Sequence, residues 1–400
     1  MKASNRFDEG WFDRWFGGDY DADTALLCLQ MLDDRCRRMF ATPLEKTPGL
    51  TGVLAWRRPY GHGWKPLPCD LQQLIRETSG QGRFEVCPAT DPIPGLFCLD
   101  IRLAYAASAI MVGSGTEWRH EVLPGGGWGD GEPRAASTPG YLGYTPARYR
   151  VRFEVPSDWG HVGILPTYQP GGWKWPTEGG PWEGWCDASE LRLALAYDWN
   201  VEIEERLICV DDCKTTKRPL RSWAQQLSRL WAEPISAERV RAMWQRAVRL
   251  ILLEAVGLFG YRPKIVTRRV SGIGEVPPHD LAEQTFRQTE EGEVEYEDYA
   301  SCGRMNHLLH PEFSAAVWAD TRVRLMRQIS VFEREPLVTG ALTLPREQVV
   351  GFGLDCLYLT ADPGWQDDGK PGRYRLKSYV PGVCSAPRDR RQLEELLRGR

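Results

Sequence analysis

Two short stretches, far apart in the chain, carry residues that could share one chemistry. Gly95-Leu96-Phe97-Cys98-Leu99-Asp100 follows Pro94 as an apolar run ending on a carboxylate, and reads as a buried strand. An unpaired buried carboxylate is costly, so Asp100 must meet a cation, a donor or a metal, or cap the helix that follows. Gln348 to Thr360 holds two β-prone runs about a glycine-containing turn, which predicts a hairpin with Asp355 at or near its tip. Carboxylates at the ends of neighbouring strands could hold a pair of divalent cations. Magnesium takes oxygen ligands and keeps waters that phosphate oxygens can replace. Two such ions stabilise the attacking and leaving oxygens of an in-line phosphoryl displacement.

Other residues could serve that chemistry. Arg246 and Arg249 are three apart on a predicted helix, hence on one face, where they could clamp a triphosphate or form a solvated face paired to Glu254. Ser79-Gly80-Gln81-Gly82-Arg83 could bring backbone and a charge close to a phosphate, or simply lead into a strand. In the extended, alternating segment Arg373 to Tyr379, Lys377 and Tyr379 could hold a phosphate backbone by charge and hydrogen bond.

These residues resemble the motifs of the B-family DNA polymerases, especially the protein-primed branch. Asp100 to Ala107 resembles the first palm motif, an Asp, two variable residues and Ser-Leu-Tyr-Pro-Ser; Asp100 and Tyr105 match, while Leu103, Ala104, Ala106 and Ala107 depart. Gly353-Leu354-Asp355-Cys356 resembles the Asp-Thr-Asp-Ser hairpin, with Gly353 in place of the first aspartate. Gly82 falls where the family has a Tyr-x-Gly-Gly-like loop, and Lys377-Ser378-Tyr379 matches Lys-x-Tyr. The fingers lysine falls on Arg249 when the motif is aligned on Gly257, the register preferred for its cation, or on Leu252 when it is aligned on Phe259-Gly260. Ser189-Glu190-Leu191 resembles the helix between palm and fingers.

The resemblance implies an α+β palm-and-fingers fold, with an antiparallel palm sheet and mostly helical fingers. It implies template-directed DNA synthesis with two Mg2+ ions, or Mn2+, on Asp100 and Asp355. Tyr105 would be the steric gate and bind nucleotide with Arg246 and Arg249; Gly82, Arg83, Lys377 and Tyr379 would bind DNA. Its partners would be a DNA template-primer, deoxyribonucleoside triphosphates and a priming terminal protein or other replication protein. The implied divisions are a small N-terminal helical segment (1–78), palm with a Gly/Trp-rich insertion (79–200) and fingers helices (201–262). An insertion with an acidic loop (263–309), the second part of the palm (310–366) and a thumb-like segment (367–400) complete them. The family usually carries a proofreading exonuclease before the palm; with fewer than one hundred residues ahead of Asp100, this chain is expected not to proofread by that route. The alternatives are a catalytically inactive polymerase-like DNA-binding or replication accessory protein, and an unrelated Trp-rich binding protein.

The supporting elements follow from composition and pattern. With 400 residues, 42% hydrophobic and 26% charged, the chain has the make-up of a globular protein. A net charge of −4 gives no overall basic signature, so a nucleic-acid surface requires local segregation of charge. No apolar run reaches membrane-spanning length and no signal peptide opens the chain; eleven irregularly spaced cysteines suit reduced thiols in a cytoplasm. Cys209 and Cys213 lack the second pair of a zinc site, and His307 and His310 suit surface or capping roles. Helices are expected over Asp23 to Met39, with Leu26, Leu27, Leu29, Leu32 and Met39 inward, and over 219–260, divided at Pro234. Another should span Pro311 to Met326, with Phe313, Ala316, Val317, Thr321 and Leu325 inward, and a short basic one should end the chain. Arg148 to Val155 alternates as a half-solvated strand; Asp187 or Ser189 should cap a helix. Trp173, Trp175, Trp182 and Trp185 are expected to close a small core, and the acidic run Glu290 to Asp298 to stay solvated and repel DNA.

Overall fold

A computed structural model describes residues 6–18, 20–80, 82–123, 146–169, 172–210, 217–261, 266–275, 286–289, 293–298, 308–330 and 337–398. Cys213, His307 and the first part of the acidic run lie outside these. The chain opens with helices α1 (Glu9–Phe16), α2 (Ala22–Phe40), α3 (Pro48–Arg57) and α4 (Cys69–Thr78). Asp8, Asp21 and Thr47 start the first three, each side chain accepting the amide three residues on. The inward face of α2 differs from the expected one at one position. Ala25, Cys28, Leu29, Leu32, Cys36 and Phe40 are buried, whereas Leu27 is exposed. Of the expected residues only Leu27 falls outside the stripe: Leu29 and Leu32 are buried, and Leu26 and Met39 pack half-buried against the same core.

Strands β1 (Phe84–Val86) and β2 (Leu96–Ile101) lead into α5 (Ala104–Met111). Next come β3 (Trp118–Val122), β4 (Ala147–Glu154), β5 (Thr167–Gln169), β6 (Gly172–Lys174) and β7 (Trp182–Asp187), then α6 (Ala188–Leu195) and β8 (Asn200–Cys209). Strands β3, β8, β4 and β7, in that order, form an antiparallel sheet, while β5 and β6 pair as a hairpin. Asp187 caps α6 through a capping box with Glu190.

The second half supplies α7 (Arg221–Trp231) and α8 (Glu238–Phe259), then a three-stranded antiparallel sheet of β9 (Val266–Val270), β10 (Phe286–Gln288) and β11 (Val294–Asp298), with β11 in the middle. Helix α9 (Pro311–Met326) follows, then β12 (Gln328–Ser330), β13 (Leu337–Thr339), β14 (Val349–Gly353), β15 (Cys356–Leu359), β16 (Tyr374–Val380) and α10 (Arg390–Arg398). Phe313, Val317, Thr321 and Leu325 are buried on α9, as the pattern predicts. Helix α8 is the spine of the helical half. A Cβ on Gly52 of α3 would lie 2.5 Å from the Ile251 carbonyl oxygen, so only glycine allows so close a crossing. Trp56, Trp223, Trp244, Phe259 and Phe313 close the core around it.

The central sheet has the order β1-β14-β15-β2-β16, with every pairing antiparallel. One face carries Leu99, Ile101, Leu357, Leu359 and Tyr374 into a core shared with the four-stranded sheet. On the other, Cys98, Cys356 and Tyr358 pack with Leu393 of α10. The order sets two distant parts of the sequence, β2 and the β14–β15 hairpin, side by side.

Candidate active site

The two-residue turn between β14 and β15 is Leu354-Asp355, and Leu354 adopts a left-handed conformation with φ +64°. Cys356 stands opposite Asp100, and the Asp355 carbonyl accepts the Ile101 amide at 2.9 Å. Asp100 and Asp355 therefore lie at the ends of adjacent strands. Each carries a guanidinium. Arg375, directly across from Asp100 on β16, forks onto its carboxylate through Nε at 2.6 Å and Nη2 at 3.0 Å. That hydrogen bond raises the pKa of Arg375, and Asp100 is only 1% exposed. Arg249, from α8, donates through Nη2 to Asp355 Oδ2 at 3.0 Å.

The arginines expected to act together diverge. Arg246, one turn before Arg249, is exposed beside Gly17. Glu254, weighed as their partner, accepts the Gly49 amide at 3.0 Å instead. Arg83, expected to offer charge to a phosphate, is fully buried. It donates to Glu85 at 2.9 Å and to the Gly163 carbonyl at 2.9 Å, and its guanidinium lies 3.8 Å from the Phe352 ring centroid. Glu85 and the ring together draw this cation into the core. Gly82 lies against the hairpin tip, where an added Cβ would come within 2.9 Å of Leu354.

Tyr105 lies in the first turn of α5. Leu103, with φ +48°, reverses the chain between β2 and that helix. Burial pushes the Tyr105 hydroxyl up to about 12, reinforced by the charge of Asp355. On β16 the register slips between Leu376 and Ser378, which throws Lys377 out of the ladder. Its ammonium lies 3.8 Å from Cys356 Sγ. Burial would lower the Lys377 pKa, but surrounding anionic groups, Asp100 and Asp355 among them, outweigh it. Tyr379 stacks on Phe97, with ring centroids 4.3 Å apart.

Gly353, where the resemblance expects a carboxylate, is closed by its neighbour. A Cβ there would lie 2.6 Å from the Tyr358 hydroxyl and 2.8 Å from its Cε2. The described residues contain no group of three or more His, Cys, Asp or Glu side chains able to hold a metal. The donor set at this point is two carboxylates. Their hard oxygens suit a divalent cation whose other positions are filled by water and phosphate oxygens.

Beside the hairpin opens a cleft of about 850 Å³, lined by Gly80, Gly82, Tyr168, Trp173, Gly260 and Trp318 among others. Trp175 is buried as expected of a core residue, but Trp173 and Tyr168 form an edge-to-face pair on the β5–β6 hairpin at the cleft wall. Two further features were not singled out from the sequence. Arg375 sits two residues before Lys377 in an alternating strand, and period-two spacing already placed it level with the site. Glu190 receives Arg322 through Nε at 2.7 Å and Nη2 at 3.1 Å, both side chains being buried, and this pair ties α6 to α9. The Asp187-x-x-Glu190 spacing marked a cap but gave no sign of the distant arginine.

The architecture can now be compared with known proteins. No family model matches the chain, and no curated protein matches it in sequence. Among solved structures, Phi29 DNA polymerase in a ternary complex with primer-template DNA and incoming nucleotides superposes with a TM-score of 0.54. The chain shares its fold. The match covers 88% of this chain and 54% of the polymerase at 13% identity. An orthorhombic crystal form of the same polymerase gives 0.54 at 12% identity, over 90% of this chain and 55% of that one. Its binary complex with primer-template DNA gives 0.53 at 13% identity, again over 90% and 55%. The chain thus spans about half the length of the polymerase it resembles. Among the described residues, no helix is long and apolar enough to cross a membrane.

Proposed function

We propose that this protein is a DNA polymerase-like nucleotidyl transferase, with the five-stranded sheet as its palm and α8 in its fingers. The observation that carries the reading is the meeting of Asp100 and Asp355 on adjacent strands, with Arg249 and Tyr105 beside them. Asp100 and Asp355 are the residues that would hold Mg2+ or Mn2+, and an ion there would supply charge stabilisation to a phosphoryl displacement. Arg249 would bind the triphosphate by charge-assisted hydrogen bonds. Tyr105, placed by the reversal at Leu103, would press its ring against the sugar and disfavour a 2′-hydroxyl. Lys377 and Tyr379 line the same strand and would hold the primer backbone, while the Gly80–Gly82 loop and the Trp173 cleft would receive single-stranded template by base stacking.

A second reading, a non-catalytic polymerase-like DNA-binding protein, is favoured by Gly353 and by the guanidinium on each carboxylate. Primer extension with Mg2+ or Mn2+ separates the two. Extension by the wild-type chain that is lost in Asp100→Asn and in Asp355→Asn, with template-primer binding retained, supports the transferase. Template-primer binding without extension in either metal establishes the second reading.

A further inference from the structure

Both carboxylates of the pair are already met by cations, and a third carboxylate, Asp367, also acts on Arg375. Two carboxylates face Arg375, Arg249 and Lys377. Arg375 is fixed by strand register: β16 sets it opposite Asp100, and its planar fork matches both carboxylate oxygens. Arg249 reaches in from another element and makes one hydrogen bond. The arginine side chains keep 34% and 38% exposure, whereas Asp100 keeps 1%, so each guanidinium has a route to water that the Asp100 carboxylate lacks.

We infer that Arg375 and Arg249 are resident counter-cations that hold the carboxylate pair in the free protein and set its affinity for divalent ions. This inference rests on the reading of Asp100 and Asp355 as ion ligands. A divalent ion entering with both arginines in place would add its charge to a site whose two carboxylates are already paired. It must first displace guanidiniums that fulfil the same electrostatic role. Removing either arginine leaves a carboxylate of high local potential and opens a ligand position. Replacing Arg375 by lysine keeps the charge but loses the fork. The two arginines are thus positioning residues that compete with the ion for the same oxygens.

The experiment titrates the full chain with Mn2+, without nucleotide or DNA, and reads free ion by electron paramagnetic resonance. Arg375→Gln and Arg249→Gln should each tighten binding about tenfold, the change that 1.4 kcal/mol produces. The gain should vanish in Arg375→Gln/Asp100→Asn and in Arg249→Gln/Asp355→Asn, and Arg375→Lys should stay near the wild type. Thermal melting with and without Mn2+ covers the case in which an unpaired Asp100 weakens the fold. Mn2+ should then raise the melting temperature of Arg375→Gln more than that of the wild type. Carboxylate-dependent Mn2+ binding that is equal in the wild type and both glutamine variants would overturn the counter-cation role and leave the ion site standing. Failure of every variant, including Arg375→Gln/Arg249→Gln, to bind Mn2+ through Asp100 or Asp355 would overturn the ion site itself, and with it this inference.

Discussion

Gly353→Asp is the substitution that would give the hairpin the carboxylate that the motif resemblance expects, and the structure predicts that the hairpin rejects it. The new Cβ would sit 2.6 Å from the Tyr358 hydroxyl and 2.8 Å from Cε2, both well inside van der Waals contact. Tyr358 cannot simply swing aside, because its ring is 8% exposed and packed with Leu96, Cys98, Val350 and Leu393. Overpacking of this kind costs about 1–3 kcal/mol, and a second carboxylate two residues from Asp355 adds like-charge repulsion. Tyr358→Phe removes the closest atom but leaves the ring edge, so it should relieve the variant only in part. Tyr358→Leu removes the ring edge and should relieve more. The assay is a double-mutant cycle of Gly353→Asp against Tyr358→Leu by denaturant unfolding, followed by tryptophan fluorescence. The double variant should lose about 1 kcal/mol or more less than the sum of the single losses. Losses that add to within about 0.5 kcal/mol, the behaviour of independent sites, would refute steric exclusion as the reason for glycine.

The remaining predictions concern the supports of the site. Glu190→Gln should cost about 3–5 kcal/mol because it removes the buried charge onto which Arg322 forks, whereas Glu190→Leu/Arg322→Met should recover most of that loss in the same unfolding assay. Burial raises Asp187 to about 6 from its ordinary 3.8, so the native state binds the extra proton between those values. Its stabilising contribution is full below about pH 4 and lost as pH rises through 6; melting temperatures of Asp187→Asn against wild type over pH 4–7 should show that slope flattened. Tyr105→Val should raise ribonucleotide incorporation relative to deoxyribonucleotide, and a melting curve alongside separates this from the roughly 3–5 kcal/mol loss that deletion of a buried ring can bring. Unchanged sugar selectivity with lost stability would make Tyr105 a core residue.

Much of this arrangement was legible in the chain itself, for identifiable reasons. Strand runs and a glycine-containing turn are local signals, and they located β2 and the hairpin that presents Asp355. Helical period located α8 and the inward face of α9. Partnerships across long sequence separations left weaker traces. Arg246 and Arg249 look equivalent in a helical projection, and only the position of the hairpin decides that Arg249 alone meets a carboxylate. Arg83 reads as a surface cation beside glycines until folding brings Glu85, Gly163 and Phe352 around it. On α2 the helical period set Leu26, Leu29, Leu32 and Met39 against the core and missed only at Leu27, where the closely packed rows are filled by Ala25 and Cys28 instead.

Gly353, Tyr358 and Arg375 bear on one physical problem. Antiparallel pairing of β2 with β15 forces Asp100 and Asp355 together whether or not an ion is present. Two adjacent carboxylates, one almost wholly buried, would destabilise the free sheet through repulsion and lost hydration. A site with three carboxylates would raise that cost further and need bound ions to offset it. Here the third position is closed by a tyrosine ring, and the remaining two charges are met by arginines supplied by the sheet and by α8. The free fold is therefore neutralised without metal. The same contacts that stabilise it oppose ion binding, so sheet stability and divalent-ion affinity should move in opposite directions along any series of substitutions at Arg375.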